Sequence, residues 1–280
     1  MHALKGHGTE NDFVLLPDLD GAITMSAAFV RAVCDRHSGI GADGVLRVVR
    51  SENADDAKRY AADAEYFMDY RNADGSVAEM CGNGVRVFMR YLQRVSLVEQ
   101  DAAVATRGGI VSVRSGADGD ISVLMGSPLV LADRPVATVA STARPALAAV
   151  ELPNPHVVVR VAPQELDTLD LSRPPAVDPP MPGGQNVEFI APIGPRHLRM
   201  RVHERGVGET RSCGTGICAA VVAAAAAEGC ERDGSSWRVD VPGGTCRVVW
   251  HREGGIELSG PAVIVAELEL GDDWVASVSG

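Results

Sequence analysis

Ala78-Glu-Met-Cys81-Gly-Asn-Gly-Val-Arg-Val-Phe88 returns later in the same chain as Thr210-Arg-Ser-Cys213-Gly-Thr-Gly-Ile-Cys-Ala-Ala220. Both stretches read Cys-Gly-x-Gly followed by an apolar run. In each, the glycines mark the opening of a helix and the apolar residues its buried body, which predicts helices from Gly82 or Asn83 through about Gln93 and from Gly214 or Thr215 to just before Gly229. Asn72 and Glu204 stand the same distance ahead of the two cysteines, each opening a short turn with glycine (Asp74-Gly75; Gly206-Val-Gly208). A strand-rich stretch follows each helix. One architectural unit therefore occurs twice, which fits a chain of 280 residues at the usual size of about 150 residues per domain.

Around the repeat, short apolar or alternating runs bounded by turn residues predict strands. These are Phe13–Leu16, Val45–Val49, Tyr66–Tyr70, Val111–Arg114, Ile121–Met125, Trp237–Val241, Thr245–Trp250, Ile256–Leu258 and Val263–Leu270. Gly116-Ala-Asp-Gly119 makes a hairpin of the fourth and fifth, and the last four form a second meander. Ser26 is the expected N-cap of a third helix reaching about Arg36, with Phe29, Val30 and Val33 on its apolar stripe. Pro174–Gly184 is expected to be an irregular loop. The reading is α/β of the α+β kind with largely antiparallel sheet. Residues 1–126, completed by about 271–280, would carry Cys81, and 127–270 would carry Cys213.

Composition narrows the function. Hydrophobic residues are 46% and charged residues 22%, as in folded soluble proteins. A net charge of −11 and an aromatic content of 4% leave neither the basic surface nor the stacking rings that nucleic acid requires, and no basic face for anionic lipid. Six cysteines without a Cys-x-x-Cys pair argue against a disulfide framework, a zinc ribbon or a thioredoxin-type site, so no metal is expected. The first ten residues hold no apolar core of signal-peptide length, and the run Ile217–Ala227 is about half the roughly 20 residues needed to span a bilayer. A reducing cytoplasm is the expected home. Only Lys5 and Lys58 are lysines, which leaves little room for lysine-based cofactor chemistry.

A cysteine at a helix start meets the positive end of the macrodipole and unpaired N–H groups, which favour thiolate over thiol. The glycines behind it leave further N–H groups for a carboxylate. Two such sulfurs on opposite sides of one bound carboxylate suit a particular reaction, inversion of an amino-acid α-carbon by a base on one face and an acid on the other. The remaining cysteines, Cys34, Cys218, Cys230 and Cys246, lack this setting and are expected in the core. His7 and His156 are candidate acid–base groups, equally readable as hydrogen-bonding loop residues.

Eight segments in order now identify a resemblance: Lys5–Phe13, Gly39-Ile-Gly-Ala-Asp-Gly44, Arg71–Ser76, Met80–Gly84, Asn154-Pro-His156, Asn186-Val-Glu-Phe189, Glu204–Thr210 and Ser212–Gly216. Together they resemble the diaminopimelate epimerases. The resemblance implies cofactor-independent interconversion of LL- and meso-2,6-diaminopimelate in lysine and peptidoglycan precursor synthesis. It also implies two pseudo-symmetric domains, each a curled sheet around a central helix, with the active site in the cleft between them. Carried onto this chain, Cys81 and Cys213 are the acid–base thiols. Gly82, Asn83, Gly214 and Thr215 bind the reacting carboxylate with Asn11 close by, and Asn72, Asn154, Asn186, Glu204 and Arg205 hold the distal end. His156 and Glu204 orient or tune the sulfurs. One departure stands out: many relatives carry Gln where this chain has Gly44, which is therefore left out of the site.

The rival within the architecture is a proline or hydroxyproline racemase-like enzyme, but Asn83 and the Glu204-Arg205 pair suit a substrate with a second charged end. A non-catalytic amino-acid binder or a redox sensor is the rival from another class; the latter would need a resolving cysteine in close spacing. The only partner expected is a small amino acid, with a second copy of the chain left open.

Overall fold

The computed structural model describes residues 1–279. The chain forms two units, Met1–Val123 with the segment from Pro261 onward, and Leu124–Gly260.

In the first unit His2–Gly8 lies antiparallel to Asn11–Pro17, Leu4 opposite Leu15, and Asn11–Pro17 runs parallel to Gly44–Arg50, Leu15 opposite Leu46. Tyr66–Asn72 follows antiparallel, then Asp101–Thr106 parallel to it, then Gly109–Ser115 and Ile121–Leu124 antiparallel. The helix Gly82–Arg94 packs against these strands from one side. On the other side sits Ala27–Cys34, capped by the Ser26 hydroxyl, which accepts from the Phe29 N–H at 3.1 Å. Strands covered on both faces need no alternation, hence the unbroken apolar run Phe13-Val-Leu-Leu16, all fully buried. Val14 and Leu16 meet Phe29, Val30 and Val33, while Phe13 lies beneath the start of the Gly82–Arg94 helix, edge-on to Tyr70 at 5.9 Å. Each such side chain contributes about 2 kcal/mol by burial.

The second unit repeats this order strand for strand. Ala148–Leu152 is antiparallel to Asn154–Arg160, which runs parallel to Asn186–Gly194. His197–Glu204 follows antiparallel, then Ser236–Val241 parallel to it, then Gly244–Trp250 and Ile256–Gly260 antiparallel. The helix Gly214–Glu228 occupies the central place, apolar all round and buried through Ala225 except at Thr215, and ends at Gly229 with φ of 65°. A second core, with Val157, Val159, Val187, Phe189 and Leu166, fills the far face under the short helix Pro163–Thr168.

Several expectations change. Val263–Glu269, read as the end of the second meander, pairs instead with His2–Gly8, Leu4 opposite Glu267, and belongs to the first unit. Three arginines of the Gly82–Arg94 helix hold it: Arg86 and Arg90 donate to the Pro261 and Ala262 carbonyls at 3.4 and 3.1 Å, and Arg94 to Glu267 at 3.0 Å. The proline-rich segment is not wholly irregular, since Ala176–Asp178 pairs with Val136–Val139 in a small separate sheet. The helices Pro163–Thr168 and Asp272–Val278 add to the three expected. None of the helices among the described residues is long and apolar enough to cross a membrane.

Candidate active site

Each catalytic candidate caps its helix. Cys81 and Cys213 are extended residues whose sulfurs accept from the N–H groups of Gly84 and Gly216, both at 3.4 Å. Gly82, Asn83 and Gly214, Thr215 form the first turns behind them. No cysteine pair is bridged among the described residues, and Cys34, Cys218 and Cys246 are buried, as expected for packing residues. Burial pushes the Cys34 thiol up to about 12, well out of the reactive range.

Around Cys81, Asn11 at the start of its strand turns its Oδ1 toward the sulfur at 3.7 Å and accepts from Asn83 Nδ2 at 3.2 Å. Asn11 Nδ2 donates to Asp43 Oδ2 at 2.8 Å. Behind them lies an ionic cluster: Arg36 spans Asp12 and Asp43 at 2.8 Å each, and Lys5 reaches Asp12 at 2.5 Å. Asn72 ends the strand opposite Gly44 and donates from Nδ2 to Ser76 Oγ at 3.0 Å, holding the turn around Gly75. His7 accepts from the Glu10 N–H at 3.3 Å, a turn contact, and has no part in this cluster.

Around Cys213, three neighbouring strands bring the remaining candidates to one helix-facing side: Asn154 and His156, Asn186, and Glu204. Asn186 accepts from the Arg205 N–H at 2.9 Å and turns Nδ2 toward the sulfur at 3.9 Å; the Thr215 hydroxyl is 3.5 Å from it. Glu204 accepts from Thr210 Oγ1, and its carboxyl is shifted up by loss of water. Fully buried His156 lies between Glu188 Oε1, 2.7 Å from Nδ1, and Asn154 Oδ1, 3.0 Å from Nε2. The Arg205 guanidinium donates to the Gly183 carbonyl at 2.5 Å, so in this structure the side chain lies along the proline-rich loop.

The helix start does not make Cys213 acidic. Burial, then the charges of Glu204 and Glu188, push its thiol well above the ordinary range, while the Thr215 and Gly216 hydrogen bonds work the other way. The helix-end effect is worth at most about 2 kcal/mol, and desolvation of a buried sulfur beside two carboxylates outweighs it.

Glu188 is the residue the motif reading passed over. It is fully buried, its Oε2 has no hydrogen-bond partner among the described residues, and a Cβ on Gly216 would stand 2.7 Å from its Oε1. The available signal was a carboxylate inside an otherwise apolar strand. Asp43 was missed for a similar reason, its task depending on an amide far away in sequence. Gly44 also gains an explanation: an added Cβ would meet the Arg71 carbonyl at 2.5 Å and the Tyr70 ring at 2.7 Å, so this backbone has no space for a side chain such as Gln.

The diaminopimelate epimerase family model matches residues 3–131 and 148–265, both Cys-Gly-x-Gly segments included. The chain belongs to the diaminopimelate epimerase family. It is 52% identical to the diaminopimelate epimerase of Streptomyces coelicolor, over 98% of this chain and 97% of that one, and 50% identical to that of Thermobifida fusca, over 95% and 97%. Among solved structures the fold is shared with a phenazine biosynthesis protein of the PhzF family from Bacillus anthracis (TM-score 0.72, 15% identity, covering 97% and 99%). A probable proline racemase from Agrobacterium radiobacter is similar in the same way (TM-score 0.69, 15% identity, covering 100% and 95%). At that identity these two speak for the architecture alone, whereas the epimerase family match covers most of the chain.

Proposed function

We propose that this protein, an isomerase of its family, interconverts LL- and meso-2,6-diaminopimelate by a cofactor-independent two-thiol mechanism, in the cytoplasm, for lysine and peptidoglycan precursor synthesis. The observation that carries the reading is the pair of cysteine-capped helix starts, one in each unit, in a chain half identical to diaminopimelate epimerases. The mechanism requires the two sulfurs to reach opposite faces of one α-carbon. One, as thiolate, takes the α-proton; the other, as thiol, delivers its proton to the opposite face, and the two exchange roles in the reverse direction. The negative charge that builds on the α-carboxylate is met by the N–H groups of Gly82, Asn83, Gly214 and Thr215, with Asn11 beside them.

The distal end carries both charges of an amino acid. Asn72, Asn154 and Asn186 offer amide donors and acceptors, Glu204 accepts from the ammonium, and Arg205 grips the carboxylate in a two-bond fork after leaving the loop carbonyls. His156 and Glu204 tune or orient Cys213. A substrate without a second charged end leaves this set unused, which favours diaminopimelate over proline.

The test is incubation of LL-diaminopimelate with reduced protein in D₂O. Deuterium should enter only at an α-carbon as meso isomer accumulates. No exchange with folded, reduced protein refutes the reading, and exchange into proline in place of diaminopimelate returns the racemase alternative.

A further inference from the structure

The two sulfurs each face an asparagine amide, and the amides are turned in opposite senses. The senses are fixed by partners that can act in only one way. Asp43 is a carboxylate and can only accept, so the atom of Asn11 that lies 2.8 Å from it must be Nδ2; Oδ1 is left toward Cys81 at 3.7 Å. The Arg205 N–H can only donate, so the Asn186 atom at 2.9 Å must be Oδ1, and Nδ2 is left toward Cys213 at 3.9 Å. Arg36, bonded to Asp43 Oδ1 at 2.8 Å, and the Asp12 N–H, 3.2 Å from Asp43 Oδ2, keep that carboxylate in place.

We propose that Asp43 is a positioning residue that sets the polarity of Asn11, so that Cys81 meets an amide oxygen while Cys213 meets an amide N–H. The assignment rests on the reading of Cys81 as an acid–base thiol. An oxygen acceptor beside a sulfur holds the S–H form; an N–H donor favours the thiolate. Asp43 thus gives two like helix starts unlike hydrogen-bond surroundings, and on the Cys213 side the amide N–H works against the burial and carboxylate charges that raise that thiol. The charged groups linked to this amide are Asp43, Asp12, Arg36 and Lys5, from the hairpin, from beyond the Ala27–Cys34 helix and from the entry to the Gly44–Arg50 strand. Asn83, the other partner of Asn11 Oδ1, is itself an amide and can present either of its atoms.

Asp43→Asn, its oxygen held by the charged Arg36 guanidinium, places an NH₂ opposite Asn11 and takes the acceptor from the Asp12 N–H. Asn11 then turns, and its Nδ2 faces Cys81. The rate of Cys81 alkylation by iodoacetamide, read on its own peptide by mass spectrometry across pH 6 to 9 in the full chain, should rise severalfold and up to about tenfold below the midpoint. Asp43→Ala, which frees Asn11 without a new partner, should give a smaller rise. Loss of the Asp43 charge alone would also speed the reaction, so the same substitution is made in an Asn11→Ala background, where the gain should shrink to a small remainder. Buried Cys34 reports loosening of the fold and should stay unreactive throughout. An equal gain in both backgrounds, no gain in either, or parallel labelling of Cys34 overturns the assignment. Alkylation is read without turnover, so the outcome stands apart from the epimerase assay.

Discussion

Leu46 and Glu188 hold the same place in the two copies of the repeat. Each lies on the strand parallel to the one that opens its site, next but one to Gly44 and Asn186, under the first turn of its central helix. Their neighbours correspond as well: Phe13 is opposite Gly44, His156 opposite Asn186. An apolar pair under Cys81 is thus an ionisable pair under Cys213.

Replacing Glu188 by Gln keeps the shape and removes one of the two carboxylates that hold the Cys213 thiol high. The pH profile of Cys213 alkylation should move to lower pH; an unmoved profile would show that burial alone sets it. Glu188→Ala strands buried His156 and should cost about 3 kcal/mol in urea unfolding, whereas His156→Phe with Glu188→Leu, which copies the first unit, should recover most of that loss.

Cys81→Ala and Cys213→Ala should each abolish epimerisation, with thermal unfolding moved by only a few degrees, because each sulfur contributes one weak contact to its helix cap. Measured turnover in either variant above a ten-thousandth of the parent rate would remove the two-thiol mechanism.

Asp12 supplies a pH-dependent part of stability. Burial alone would raise its carboxyl, but the hydrogen bonds and charges of Arg36 and Lys5 outweigh this and bring it down to about 2 from an ordinary 3.8. A carboxyl lowered in the folded state stabilises above its unfolded value, and the contribution is lost as pH falls from about 4 through 2. Asp12→Asn should therefore cost about 2 kcal/mol at pH 7, with the gap to the parent closing across that acid window in unfolding titrations.

Gly44→Gln, which puts in place the residue that the resemblance leads one to expect, should harm this chain. The new Cβ would press on the Arg71 carbonyl and the Tyr70 ring, both under 3 Å, and neither backbone nor a buried ring yields cheaply. A loss of about 2 kcal/mol is expected by calorimetry, against the gain in substrate affinity that family resemblance alone would suggest.

The repeat was legible because both copies keep the same Cys-Gly-x-Gly start, and helix boundaries followed from Ser26, Gly82, Gly214 and Gly229. What escaped was whatever depends on sheet register. Glu188 faces His156, and Asp43 faces Asn11, only because of strand pairings between distant segments. The acidity of Cys213 was misjudged for the same cause: the helix end is visible locally, while the two carboxylates arrive from neighbouring strands. Ala176–Asp178 was hidden by surrounding prolines, which forbid a central strand but allow a short edge pairing.

The strand Val263–Glu269 comes after the whole of the second unit in the chain, yet it belongs to the first. During translation the Cys213 unit, continuous from Leu124 to Gly260, has all its strands before the Cys81 helix has the strand that Arg86, Arg90 and Arg94 grip. A chain cut short by a premature stop after Gly260 would carry a whole second unit and an unfinished first one, so the loss would fall on the Cys81 helix.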